Sequence, residues 1–247
     1  MPFVWTLRSF SHAVRFVMAG ASVFLLLLLA PAAQAQVIYV DVDATGAGDG
    51  TSWTDAYTDL QDALAAATGT DEIWMAEGTY YPDEGTGVTN DDRTASFTVT
   101  GSQDGLAIYG GFAGGESARA ARNPDANETI LSGDIDGDGT LAGNSYHVLF
   151  FDAGNGIGSD VAPNITTDTV LDGVTVTKGN ADGSGRDNYG AGLFCDGVGS
   201  SNVCSPTLTG VTFIETSGGA IYNWGTDGGE SSPHIISSTF INNTAST

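Results

Sequence analysis

Asp134, Asp136 and Asp138 alternate with Ile135 and Gly137 in DIDGDG, the stretch from Asp134 to Gly139. Carboxylates at every second position can wrap oxygens around a hard cation, and glycine permits the sharp turn, as in the opening of a calcium loop. The twelfth position counted from Asp134 is Ser145, not a bidentate glutamate, which excludes an EF-hand. What is left is an aspartate loop that offers calcium ligands from one side. A solvated Asp/Gly turn between structural repeats would use the same residues. DVDATGAGDG, from Asp41 to Gly50, poses the same two readings.

A second chemistry open to this sequence acts on carbohydrate. A polysaccharide lyase abstracts a proton beside a carboxylate, so it needs a base and a cation to neutralise the substrate's charge. Lys178 and Arg186 are the basic residues near a repeat strand, with GNADGSGRDN running from Gly179 to Asn188. A glycoside hydrolase needs two suitably separated carboxylates. Asp152, Asp172 and Asp187 are candidates, but acids are abundant and turns favour them too. His147 and His234 fall on separate predicted strands and do not read as a triad or a metal pair. Trp53, Trp74 and Trp224 either line a sugar groove or pack in the interior. The chain has no Walker loop, HExxH or GxSxG elbow. No convergent catalytic set emerges, and the reading leans away from an enzyme.

The charge balance narrows the partners. From Gln36 onward, Arg93, Arg119, Arg122, Lys178 and Arg186 face 30 acidic residues. No basic stripe exists, which argues against nucleic acid and against anionic membrane surfaces. Residues 1–35 read as a signal peptide. Arg8 and Arg15 precede the apolar run Phe16 to Leu29, and Ala33-Gln34-Ala35 supplies a cleavage pattern, placing the cut between Ala35 and Gln36. An uncleaved anchor is the other reading of that run. No later segment is apolar enough to span a bilayer. In an oxidising exterior, Cys195 and Cys204, which bracket CDGVGSSNVC, are expected to form a disulfide. In the chain-entropy account it would contribute about 2.5–3 kcal/mol.

The elements that hold these groups are set by a repeat. SPTLTGVTF (Ser205 to Phe213) returns as SPHIISSTF (Ser232 to Phe240), with Pro206 to Pro233 and Phe213 to Phe240 both 27 apart. GAGLFC (Gly190 to Cys195) is related to GGAIYN (Gly218 to Asn223), and LDGVTV (Leu171 to Val176) to LTGVTF (Leu208 to Phe213). A period in the twenties, with short β-branched runs between Gly, Asn and Ser corners, is a solenoid signature. One coil cannot bury its own apolar face, so stacked coils pair in parallel and ladder Leu208, Val211, Phe213 and Ile221 inside. The expected fold is all-β, a right-handed parallel β-helix over residues 36–247 with seven or eight coils. Residues 36–70 form its amino-terminal cap region, and coils fill 71–247. Asn242 and Asn243 are either a stacked amide ladder or turn residues. Asp55 to Thr68 is the one predicted helix, with Asp55 capping and Tyr57, Leu60, Leu64 and Ala67 on its apolar face. It would cover the first coil's open backbone. The repeat strand ends just before Thr247, and the expectation is either a fragment of a longer gene product or an assembly that pairs through that end.

With those residues in place, the chain resembles exported bacterial right-handed β-helix proteins with polymorphic outer membrane protein repeats. The similarity runs from YVDVDATGAGDGTSWTDAYTDLQDALAAA and DEIWMAEGTYYP through LAIYGGFAGGE to the paired GGAIYN and TFINN patterns. GAGLFC and TFIETS depart from those patterns. The resemblance implies a cell-surface or secreted scaffold for adhesion or binding, with carbohydrate or another surface polymer as partner. A lyase or hydrolase working in a groove along the rod is the alternative, since one fold hosts many functions.

Overall fold

The computed structural model describes Met1, residues 35–154 and residues 164–245. Residues 33–247 form one compact unit. Of the expected leader, the described part is Met1 and the exposed Ala35, which stands beside an exposed Gln36. Among the described residues no helix is long and apolar enough to cross a membrane.

The chain winds through three parallel sheets in turn. The first holds Val37–Val40, Glu72–Ala76, Ala107–Phe112, Val170–Asp172, Thr207–Thr209 and His234–Ile236. The second holds Gly78–Tyr80, Thr129–Ser132, Thr175–Thr177, Thr212–Ile214 and Thr239–Ile241. The third holds Phe97–Thr100, Leu149–Asp152, Leu193–Asp196 and Ile221–Trp224. A two-stranded addition pairs Val203–Cys204 with Glu230–Ser231. The fold is therefore the expected right-handed parallel β-helix. Register follows the repeats: Leu171 pairs with Leu208, Leu193 with Ile221, and Phe213 with Phe240. Like side chains stack, as in the column Ile38, Ile73, Ile108, Leu171 and Leu208, whose members are all buried.

Corners explain how such short strands close a coil. Gly173, Gly210 and Ser237 lie between first- and second-sheet strands, and each has a left-handed φ, of 73°, 57° and 49°. Lys178, Glu215 and Asn242 leave the second sheet with φ of 61°, 54° and 53°. One such residue per corner redirects the chain without a long loop. Asn242 is thus a turn residue. Asn243 instead bonds the preceding coil, donating to the Phe213 carbonyl at 2.8 Å and accepting from the Thr216 N–H at 3.1 Å.

Two expectations need correction. Among the described residues the longest sheet has six rungs, not seven or eight, with corner excursions such as 113–127 and 134–146 lengthening individual coils. The helix covers only Leu60–Ala66, with Leu60, Ala63 and Leu64 buried against the first coil's interior. Tyr57 is spent elsewhere: its N–H donates to the Tyr39 carbonyl at 3.0 Å and its carbonyl accepts from Asp41 N–H at 2.9 Å. Asp55 does not cap the helix. Its carboxylate accepts from Ala47 N–H and from the Ser52 hydroxyl. An extended backbone partner outcompetes helical propensity in this stretch.

Candidate functional site

The outer face of the third sheet gathers the chemistry. Strand alternation turns Phe97, Val99, Leu149, Phe151, Leu193 and Cys195 inward. The register then places Thr98, Phe150, Phe194 and Tyr222 in one outward row, with Thr100, Asp152, Asp196 and Trp224 in the next. The rings of Phe150 and Phe194 lie 5.5 Å apart, as do those of Phe194 and Tyr222. Phe194 points outward yet is 0% exposed. The rings of His147, Phe150, Tyr222 and Trp224 surround it, and the corner after Lys178 brings the 3₁₀ turn Gly185–Asn188 to the same face. Gly190 ends that corner at φ 67°, where a Cβ would meet the Tyr222 Cβ at 2.7 Å. Glycine there lets Tyr189 stack on Tyr222, centroids 4.8 Å apart.

Arg186 is the centre of this arrangement. Its Nη2 pairs with Asp196 Oδ2 at 3.0 Å, and its guanidinium lies 5.4 Å from the Trp224 ring and 5.7 Å from the Phe150 ring. Asp196 is 1% exposed, and its other oxygen accepts from Val198 N–H at 2.9 Å. Burial pushes the Asp196 carboxyl above the usual carboxylate range, with Asp152 on the neighbouring rung adding to the rise. The Val198 N–H and the Arg186 guanidinium pull it back. Beside this pair opens a cavity of about 240 Å³ lined by Gly185, Arg186, Tyr189, Tyr222 and Trp224. Three aromatic faces around one guanidinium make a mostly apolar pocket with a polar edge, the make-up of a small-ligand site.

His147 sits on the other side of Arg186. Its Nδ1 lies 3.1 Å from the Gly190 carbonyl, which only accepts, so this nitrogen carries the proton. Nε2 is then a lone pair, buried and without a hydrogen-bond partner. Asp187 Oδ1 is 3.7 Å away, too far to bond, and acts on the ring as a charge. Burial holds His147 below its ordinary value of 6.5, with Arg186 helping and the Gly190 carbonyl and Asp187 opposing.

The other residues singled out by sequence divide cleanly. Lys178 pairs with Glu215 at 2.9 Å and lines a separate cavity with Leu141 and Asn242, so it does not join Arg186. Asp172 is held by Arg122 at 2.7 Å. Trp53 and Trp74 pack with Tyr39 and Phe112 on the first sheet, their indole N–H groups bonded to the Glu116 carbonyl and to Glu72. His234 is exposed on the last rung. Cys195 and Cys204 form the expected disulfide, with Cα atoms 5.8 Å apart. Asp134, Asp136 and Asp138 each bring one carboxylate oxygen to within 4.8 Å of the others, a cluster capable of coordinating a divalent cation. Gly137 and Gly139 turn the loop at φ of 65° and 74°. Backbone N–H groups of Gly139, Asp138 and Thr140 donate to the three carboxylates in order.

Asp196, Tyr189 and Tyr222 were not legible as site residues from spacing alone. The signal for Asp196 is the match of LFFD (Leu149–Asp152) to LFCD (Leu193–Asp196), which puts two carboxylates in register. Compared with known proteins, the chain matches no family model, no curated protein and no solved structure.

Proposed function

We propose that this is an exported β-helix scaffold that binds carbohydrate on the outer face of its third sheet. One observation carries the reading: the cavity of about 240 Å³ walled by Tyr189, Tyr222 and Trp224 with Arg186 at its edge. Aromatic faces cover the C–H faces of sugar rings, and the guanidinium donates to ring hydroxyls. Tyr189 is 41% exposed, which keeps that wall open to a ligand. The leader pattern before Gln36 and the resemblance to polymorphic outer membrane protein repeats support export and a surface or secreted setting. Amino-terminal sequencing of the exported chain should start at Gln36; an intact Met1 would refute the cleavage.

Binding fits better than catalysis. A hydrolase needs a carboxyl that stays protonated and reaches the glycosidic oxygen, yet Asp196, the carboxyl of this face that burial raises, is 1% exposed beneath Arg186. A lyase needs a cation available to the substrate's carboxylate, yet the Arg186 charge is already met by Asp196. Calorimetry with neutral β-1,4-linked oligosaccharides tests the reading. Trp224→Ala and Tyr189→Ala should each weaken binding about tenfold or more, on the scale of an aromatic binding hot spot. Absence of binding to the wild-type chain, or unchanged binding by both variants, would refute it.

A further inference from the structure

Asp71 is a buried carboxylate without a cation. It is 4% exposed at the turn that opens the strand Glu72–Ala76, and it accepts three hydrogen bonds there. Thr68 N–H and the Thr68 hydroxyl donate to Oδ2 at 2.8 and 2.7 Å, and Gln36 N–H donates to Oδ1 at 3.1 Å. Burial acts to raise this carboxyl, but the three donors outweigh it and hold Asp71 below the usual carboxylate range. Among the described residues no Lys, Arg or His forms an ion pair with it. A carboxylate this buried is seldom left without a countercharge.

The donor at Oδ1 is the nitrogen that export would change. The leader pattern ends at Ala35, and hydrolysis adds water across the Ala35–Gln36 bond, leaving a carboxylate on Ala35 and an α-ammonium on Gln36. The acceptor already lies within bonding distance. Cleavage thus converts a neutral N–H···O bond into a charge-assisted one, roughly twice as strong, without moving the chain. Around it the backbone is fixed: the Gln36 carbonyl accepts from Glu72 N–H at 2.9 Å, and Val37 to Val40 pair in register with Glu72 to Met75. We infer that Asp71 is the receptor for the α-ammonium that leader cleavage creates, an ion pair made by the processed chain alone that pins the first strand to the second. This rests on the cleavage before Gln36 read above and not on the carbohydrate site.

The position is selective. A cut one residue earlier would leave Gln36 N a neutral amide and carry the charge about 3.5 Å further along the chain. A cut one residue later would remove the donor. The other charged groups on the strand and turn packed around this nitrogen are engaged elsewhere. Glu72 takes the Trp74 indole N–H and Arg119, and Asp104, whose turn packs on Gly69, takes Thr166 and Thr169. The pair also protects the new end chemically. An amino-terminal glutamine cyclises when its free amine attacks its own side-chain amide carbon and expels ammonia. An ammonium held by Asp71 has no lone pair with which to attack.

The test takes the exported chain, shown by amino-terminal sequencing to start at Gln36, beside Asp71→Asn and a chain that keeps Ala35 ahead of Gln36. Lys178 is the single lysine after the leader, so an acylating reagent has two amines to label, resolved by mass spectrometry. The Gln36 amine should label severalfold more slowly than that of Asp71→Asn or of the Ala35 chain, with Lys178 labelling alike in all three. A raised α-amine contributes stability in full below its ordinary value of about 7.7–8.0, and loses it as pH rises through the raised value. Melting temperature from pH 7 to pH 10 should therefore fall more steeply for the Gln36 chain than for the other two. Cyclised Gln36, short by one ammonia, should accumulate faster in Asp71→Asn. The Ala35 chain keeps Asp71 intact and carries the comparison if Asp71→Asn does not fold. Equal labelling with parallel melting profiles, or a Gln36 found wholly cyclised, would overturn the pair while leaving the cleavage standing. A mature chain that starts at another residue would overturn the cleavage and the pair with it.

Discussion

Arg186 Nη2 and Asp196 Oδ2, 3.0 Å apart, tie the Gly185–Asn188 turn to the third sheet, with the guanidinium between the rings of Phe150 and Trp224. Arg186→Met would leave the Asp196 carboxylate buried and without its cation. Removing one partner of such a pair costs about 3–5 kcal/mol, which urea unfolding at pH 7 would register. The folded-state value of Asp196 lies above 3.8, so its contribution is complete below 3.8 and lost as pH rises through the raised value. The Arg186→Met deficit should therefore shrink in acid, and adding Asp196→Asn should recover much of it. A deficit indifferent to both would show that the pair is not what holds the turn.

His147 gives a second pH signature of opposite sign. Its folded value lies below 6.5, because the ring is buried as the neutral species. Its share of stability is present above 6.5 and lost as pH falls through the depressed value. Thermal melting from pH 7.5 to pH 5 should fall more steeply for the wild-type chain than for His147→Phe. Parallel profiles would contradict this.

The Cys195–Cys204 bond lies wholly inside the coil, both residues 0% exposed. Replacing both by alanine should cost about 2.5–3 kcal/mol in unfolding free energy. Reductant should act on the native protein only through opening, so trapping of free thiols should be slow in buffer and fast in denaturant. Rapid trapping under native conditions would place the bond at the surface instead.

Calcium at Asp134, Asp136 and Asp138 makes a further prediction. Calorimetry should give an affinity of about 0.1–1 mM, the range of open extracellular sites. Ten millimolar calcium should then raise the melting temperature, and Asp136→Asn should remove that rise. No heat at millimolar calcium would end the proposal.

How far the sequence could be read depended on whether a residue answers to its neighbours or to distant coils. The recurrence of Phe213 at Phe240 and of Leu208 at Ile235 specified register, since stacking like on like is a local rule applied 27 residues later. Tyr57 was misread as helical because its partner is Tyr39, whose strand had to be in place first. Arg186 and Lys178 are close in sequence, but separate corners send one to Asp196 and the other to Glu215. The cavity beside Arg186 was itself hidden. It requires the chain after Lys178 to bring Arg186 and Tyr189 back against Trp224 and Tyr222, and the cue that allows this is the left-handed Gly190 against Tyr222.

Residue-on-residue superposition of successive turns has a consequence for how such a surface can evolve. Because Thr207, Leu208 and Thr209 sit directly over their counterparts at His234, Ile235 and Ile236, an in-frame duplication of one 27-residue unit adds a whole storey without repacking those above and below. The reach of the face is thus counted in copies. Lineages can lengthen or shorten that face by recombination alone, before any side chain on the existing rungs changes.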